Sequence, residues 1–236
     1  MAVCSVALMG AANARAQYII HIAGNNTHGH NGDSSKALVA SLRSPMSVCK
    51  DSKGNLYIGD GGPIGYMNDA CVRKINDTGI ITTIIGQPYA ADNAINTAKT
   101  GLAINTKLQG VAGLCIDKKG NLLIADGVST VLRVNLKNDS VTVVAGTRGQ
   151  KGYAGDGWAA DSAQMNSPYD VAVDDDNNIY IAELGNNIIR FVSATNGKIY
   201  TYAGIKGVYG FSGDGGPARY AKLDQPRGIC IDESNN

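Results

Sequence analysis

Histidine is the scarcest chemically versatile residue in the chain, with three among 236 positions, all within the first thirty. His28 and His30 form an H-x-H pair, a spacing that can lend two nitrogens to zinc. Asp33 is the one further ligand candidate close behind them, and no Cys or Glu follows in that loop. The pair therefore reads as exposed loop histidines, with zinc ligation as the alternative, and no cofactor is expected. Asp33, Asp156 and Asp214 each follow a glycine. In a loop, such an Asp usually bonds its own backbone and stabilises a turn. Gathered around one mouth of a channel, the three would instead attract cations and bind a ligand. Lys99 at the matching place of another loop would break that ring, and the alternating oxygens of a calcium loop are missing.

Arg133 and Arg190 each lie seven residues beyond an acidic residue, Asp126 and Glu183, and Arg73 falls on an equivalent segment. A structural carboxylate–arginine pair in each unit is the expectation. No G-x-S-x-G elbow, H-E-x-x-H helix or phosphate-cradling glycine loop before a helix occurs, so no catalytic residue is assigned. Sequons begin at Asn25, Asn76 and Asn138, all at turn-like positions, and would carry glycans in an exported eukaryotic protein.

The elements that must hold these residues repeat. Ala23-Gly24 returns as Ile85-Gly86, Ala145-Gly146 and Ala203-Gly204, at intervals of 62, 60 and 58 residues. A short apolar run ending in Asp does the same, closing at Asp51, Asp117, Asp174 and Asp232. Each full unit then contains four runs of β-branched and aromatic residues separated by Gly and Asn turns, the mark of short antiparallel strands. Four such strands, repeated radially, make a propeller blade. Complete blades are expected over residues 45–85, 111–145 and 168–203. A single strand is left over at each end, at 18–23 and 226–232. Between blades, paired alanines three apart (Ala37 and Ala40, Ala160 and Ala163, Ala218 and Ala221) predict one helical turn plugging each junction. Cys49, Cys115 and Cys230 occupy one repeat position on different blades, too far apart for disulfides, and are expected to be buried and unpaired.

The run from Phe211 through Gly213, Asp214, Ala218, Ala221 and Leu223 to Pro226 and Asp232 resembles NHL-repeat proteins. So does the segment from Asn178 through Ala182 and Glu183 to Arg190 and Gly204. The resemblance extends over nearly everything after Gln17. It implies an all-β fold, a β-propeller of four-stranded NHL-like blades, typically six to a ring. On that count the chain would hold about three complete blades and be a fragment of a larger ring. The resemblance also implies a binding role for protein, RNA or small ligands. A few relatives of similar shape are metal-dependent lyases or hydrolases, whose zinc histidines are spread over several blades. Histidine is absent here after residue 30, so those ligands do not carry over.

Net charge is +1, from 21 Lys+Arg against 20 Asp+Glu. That balance argues against nucleic-acid binding, which needs a basic face. No apolar run reaches the length of a transmembrane helix. Residues 1–16 resemble a secretory signal with an Ala-Arg-Ala end, although no positive charge precedes Arg15, and residues 17–236 form the propeller domain. Asp60 is followed by Arg73 only after thirteen residues, and the extra loop carries Tyr66 and Met67, residue types favoured at interfaces. The expected role is a secreted or extracytoplasmic, non-enzymatic scaffold that binds a protein or small ligand. A metal-dependent lyase or hydrolase and an RNA-binding propeller are the alternatives.

Overall fold

The structure, a computed structural model, describes residues 19–61, 70–86 and 100–235. The signal-like start, Tyr66 and Met67 lie outside the described residues.

Three antiparallel sheets follow one another along the chain. The first joins β1 (Ser35–Lys36), β2 (Pro45–Lys50), β3 (Leu56–Asp60), β4 (Cys71–Ile75) and β5 (Ile80–Ile85). The second joins β6 (Thr100–Leu102), β7 (Gly113–Ile116), β8 (Leu122–Ala125), β9 (Thr130–Asn135) and β10 (Ser140–Gly146). The third joins β11 (Pro168–Val173), β12 (Ile179–Glu183), β13 (Ile188–Val192) and β14 (Ile199–Ala203). Each is a four-strand meander, and the short β1 and β6 are strips of the inter-blade loop laid on the outer strand of the blade that follows. The first strands of successive blades, β2, β7 and β11, lie side by side. This is the propeller arrangement, and the sheets do not close into a ring.

Burial on both faces explains why β8 is apolar throughout. All four residues of β8 are buried: Leu122 and Ile124 pack toward the first blade with Tyr57, Val72 and Ile85. Leu123 packs toward the third blade with Val131, Val171 and Ile181. The repeated Asp at the end of each first strand ties its hairpin. Asp51 Oδ1 accepts the N–H of Lys53 and Asn55, Asp117 Oδ1 those of Lys119 and Asn121, and Asp174 Oδ1 that of Asn178. Asp232 begins the same turn by accepting the Ser234 N–H.

The junction turns are present as 3-10 helices at Ala37–Val39, Ala103–Asn105, Ala160–Ser162 and Ala218–Tyr220. Their geometry accounts for the repeated Gly-Asp and Ala-x-x-Ala as one device. Gly155 sits at φ +93°, a left-handed conformation, and a Cβ there would lie 2.9 Å from the Cα of Ala163. Gly32 and Gly213 hold the same relation to Ala40 and Ala221. The glycine lets the loop fold flat onto the second alanine, and a small side chain is required on both sides of that contact.

Two strand expectations are corrected. Residues 19–23 and 226–232 are not strands. A strand exists by pairing, and among the described residues no neighbour lies beside either segment to complete a ladder. Residues 226–232 instead lean on the third blade, where the Ile229 N–H donates to Asp170. The cysteine expectation also changes. Cys49 and Cys115 are unpaired but only partly buried, and Cys230 is exposed because no described residue packs over it. Burial pushes the thiols of Cys49 and Cys115 up to about 12 and about 11.

Candidate functional site

A fully buried carboxylate closes the second strand of every blade, Asp60 and Glu183 as its last residue and Asp126 directly after it. Each one holds the backbone that enters its own blade. Asp60 accepts the N–H of Arg43 at 2.9 Å and Ser44 at 2.7 Å. Asp126 accepts that of Gln109 at 2.7 Å, and Glu183 that of Asn166 at 3.0 Å. Burial drives the Asp126 carboxyl up to about 6 and Glu183 up to about 7, against the pull of Arg148 and Arg190 beside them. These acids are fasteners of the backbone that enters each blade.

Two of the loop aspartates are fasteners as well. Asp33 Oδ1 lies 2.7 Å from Arg73 Nη2 and accepts the Thr83 hydroxyl. Asp156 Oδ1 lies 2.6 Å from Arg190 Nη2, and its Oδ2 accepts the Thr201 N–H and the Tyr153 hydroxyl. Both arginine side chains are completely buried, and Arg190 also reaches Glu183 at 3.3 Å. Asp33 and Asp156 therefore turn toward their own blades rather than ringing a common mouth. Asp214 is exposed and makes no ion pair among the described residues.

The second blade departs from this scheme, and here the expected pairing of Asp126 with Arg133 is wrong. In the third blade Glu183 faces Ile188 and Arg190 faces Ile181. In the second, Ala125 faces Val131, Ile124 faces Leu132 and Arg133 faces Leu123. The hairpin is one residue shorter, so an unchanged seven-residue spacing delivers Arg133 to the opposite face of the sheet. Leu132 takes the buried arginine's place, and Asp126 is met by Arg148 at 3.7 Å. Arg133 lies 3.1 Å from Asp117, whose counterparts Asp51 and Asp174 accept the hydroxyls of Tyr57 and Tyr180. Leu123 cannot supply that hydroxyl. Arg133 thus comes to border a solvent-open groove of about 300 Å³ between the second and third blades, with Lys119, Asp161 and Asn177.

The histidines separate. His21 and His28 are exposed, whereas His30, expected on the surface, is buried. It stands three residues before Asp33, as Tyr153 stands before Asp156 in the third blade. His30 Nδ1 lies 3.1 Å from Asp60 Oδ2 and 3.5 Å from Cys71 Sγ. Asp60 and Cys71 face each other across β3 and β4. Nothing in the H-x-H spacing pointed to either partner; strand register could have paired Asp60 with Cys71, but not with His30.

The sequon asparagines all lie outside the strands, Asn25 and Asn138 exposed and Asn76 partly buried. Asn76 and Asn138 cap the third hairpins by accepting the N–H groups of Thr78 and Ser140, while the Asn25 amide donates to Val39. Large apolar side chains are exposed beside the junction turns of successive blades: Leu38 and Val39, Leu102 and Ile104, Trp158, and Tyr220. Trp158 keeps 75% of its surface in water.

A family model described as the Teneurin NHL domain matches residues 22–152. Teneurin-1 of Homo sapiens is 26% identical over 225 residues, covering 86% of this chain. Teneurin-4 of Homo sapiens is 29% identical over 224 residues, covering 85% of this chain. The chain spans 8% of the length of either relative. Among solved structures, a protein of unknown function from Bacteroides thetaiotaomicron shows a TM-score of 0.46 at 14% identity, over 89% of this chain and 70% of that one.

Proposed function

We propose, from the premise that the chain belongs to the Teneurin NHL domain family, that it is a non-enzymatic scaffold binding a protein partner outside the cytoplasm. The observation that carries the reading is the recurrence of exposed large apolar residues at successive blade junctions, from Leu38 through Ile104 to Trp158. Isolated exposed apolar residues are ordinary, but a series lying in or just before successive junction turns of a rigid frame offers the anchors that interfaces use. The repeated acids and arginines are consumed inside the blades, so they leave little polar machinery for a reaction. The signal-like first sixteen residues support the location, and no helix among the described residues is long and apolar enough to cross a membrane. The loop with Tyr66 and Met67 is a second proposed contact, and Asn25 and Asn138 are the more exposed sequons for glycans.

The test is saturable binding of the purified, fluorescently labelled chain to intact cells. The triple variant Leu38→Asp, Ile104→Asp, Trp158→Asp should bind at least about tenfold more weakly, since losing ~1.4 kcal/mol suffices for that factor. Its melting temperature should stay near that of the parent, because all three side chains are exposed. Equal binding by the two proteins, or no saturable binding at all, would contradict the proposal.

A further inference from the structure

We propose that His30, Asp60 and Cys71 together form a site for a thiophilic divalent cation, with zinc the metal best matched to the donors. The three residues come from three elements: the loop before β1, the end of β3 and the start of β4. All three are buried, and one ligand atom from each lies within 4.8 Å of the others. Imidazole nitrogen, carboxylate oxygen and thiolate sulfur are the three ligand types that zinc accepts. The spacing also fits. With Zn–N near 2.0 Å and Zn–S near 2.3 Å, a tetrahedral ion would set those donors about 3.5 Å apart and its N and O donors about 3.3 Å apart. The observed separations are 3.5 Å from His30 Nδ1 to Cys71 Sγ and 3.1 Å from His30 Nδ1 to Asp60 Oδ2.

Blade architecture does not require this set. Thr130 and Ile188 stand beside Asp126 and Glu183 where Cys71 stands beside Asp60, and Tyr153 replaces His30 in the third blade. Asp60 keeps its Oδ1 on the Ser44 amide and shares the Arg43 amide between both oxygens, which fixes the carboxylate with Oδ2 facing the histidine. Such outer bonds are what orient a ligating carboxylate. On binding, Cys71 gives up its thiol proton to solvent and its sulfur takes the metal in exchange. Three protein ligands leave a fourth position for water or a partner's side chain.

The test titrates the metal-free 236-residue chain with Co²⁺, which substitutes for zinc and is coloured. One equivalent should produce a sulfur-to-cobalt charge-transfer band in the near ultraviolet, and one equivalent of Zn²⁺ should erase it. Cys71→Ser should abolish the band, His30→Gln should weaken binding at least tenfold, and Cys49→Ser should leave both unchanged. Absence of a thiolate band in the parent chain would overturn the assignment whatever the variants do. So would its survival in a folded Cys71→Ser protein.

Discussion

Replacing Arg190 by alanine is expected to destabilise the protein by about 3–5 kcal/mol, the range for breaking a buried charge pair from one side. The guanidinium is wholly buried, 2.6 Å from Asp156, 3.3 Å from Glu183 and 5.0 Å above the Tyr153 ring. Its removal leaves the Glu183 carboxyl buried with the Asn166 and Asn186 donors but, among the described residues, no cation beside it. Burial already holds that carboxyl near 7, and losing the arginine would push it higher. The first blade supplies the comparison. Arg73 is equally buried, yet its partner Asp33 keeps 46% of its side chain in water and can remain charged without it. Arg73→Leu combined with Asp33→Ser should therefore cost less, the more so because the second blade carries Leu132 at this place with no such aspartate in its loop. Urea unfolding of the parent and both variants decides the matter; a loss under about 1 kcal/mol for Arg190→Ala would show that the pair holds nothing together.

Gly155→Ala should rank close behind, at about 2–5 kcal/mol. Left-handed backbone costs a side chain about 1–2 kcal/mol, and overpacking adds about 1–3. The new methyl would meet the backbone of Ala163 at 2.9 Å, a contact that no rotamer change can relieve. Gly157 is the internal control. It has a similar φ of +81° but open space within 4 Å, so Gly157→Ala should cost only the conformational part, about 1–2 kcal/mol. Equal losses at the two positions would mean that the flat contact between loop and junction turn contributes nothing.

Much of the architecture could be read before any coordinates. The recurring Asp51, Asp117 and Asp174 mark the same hairpin in each blade, and the Ala-x-x-Ala spacing marks the same junction turn, because each is dictated by a local geometric need. What failed was anything that depended on register or on the path of a long loop. Arg133 shows the first limit: one residue removed from a hairpin leaves the sequence spacing intact and reverses the face. His30 shows the second, since nothing in an H-x-H pair tells which ring turns inward. Asp33 and Asp156 fall between the two. Their turn role was legible, but their arginines, 40 and 34 residues further along, could be found only once the loop was seen folded onto its own blade.

The division between residues that hold the blades and residues that face a partner can be tested on two neighbours in one loop. Asp156 and Trp158 are separated by a single glycine, one turned toward Arg190 and the other toward water. Cell-surface binding per folded molecule should be measured for Asp156→Asn and for Trp158→Asp. Asp156→Asn should melt at lower temperature yet bind as the parent does, and Trp158→Asp should melt normally and bind several-fold more weakly. The reverse pattern, with binding lost at Asp156 and kept at Trp158, would place the contact on the carboxylates and contradict the apolar-rim scaffold.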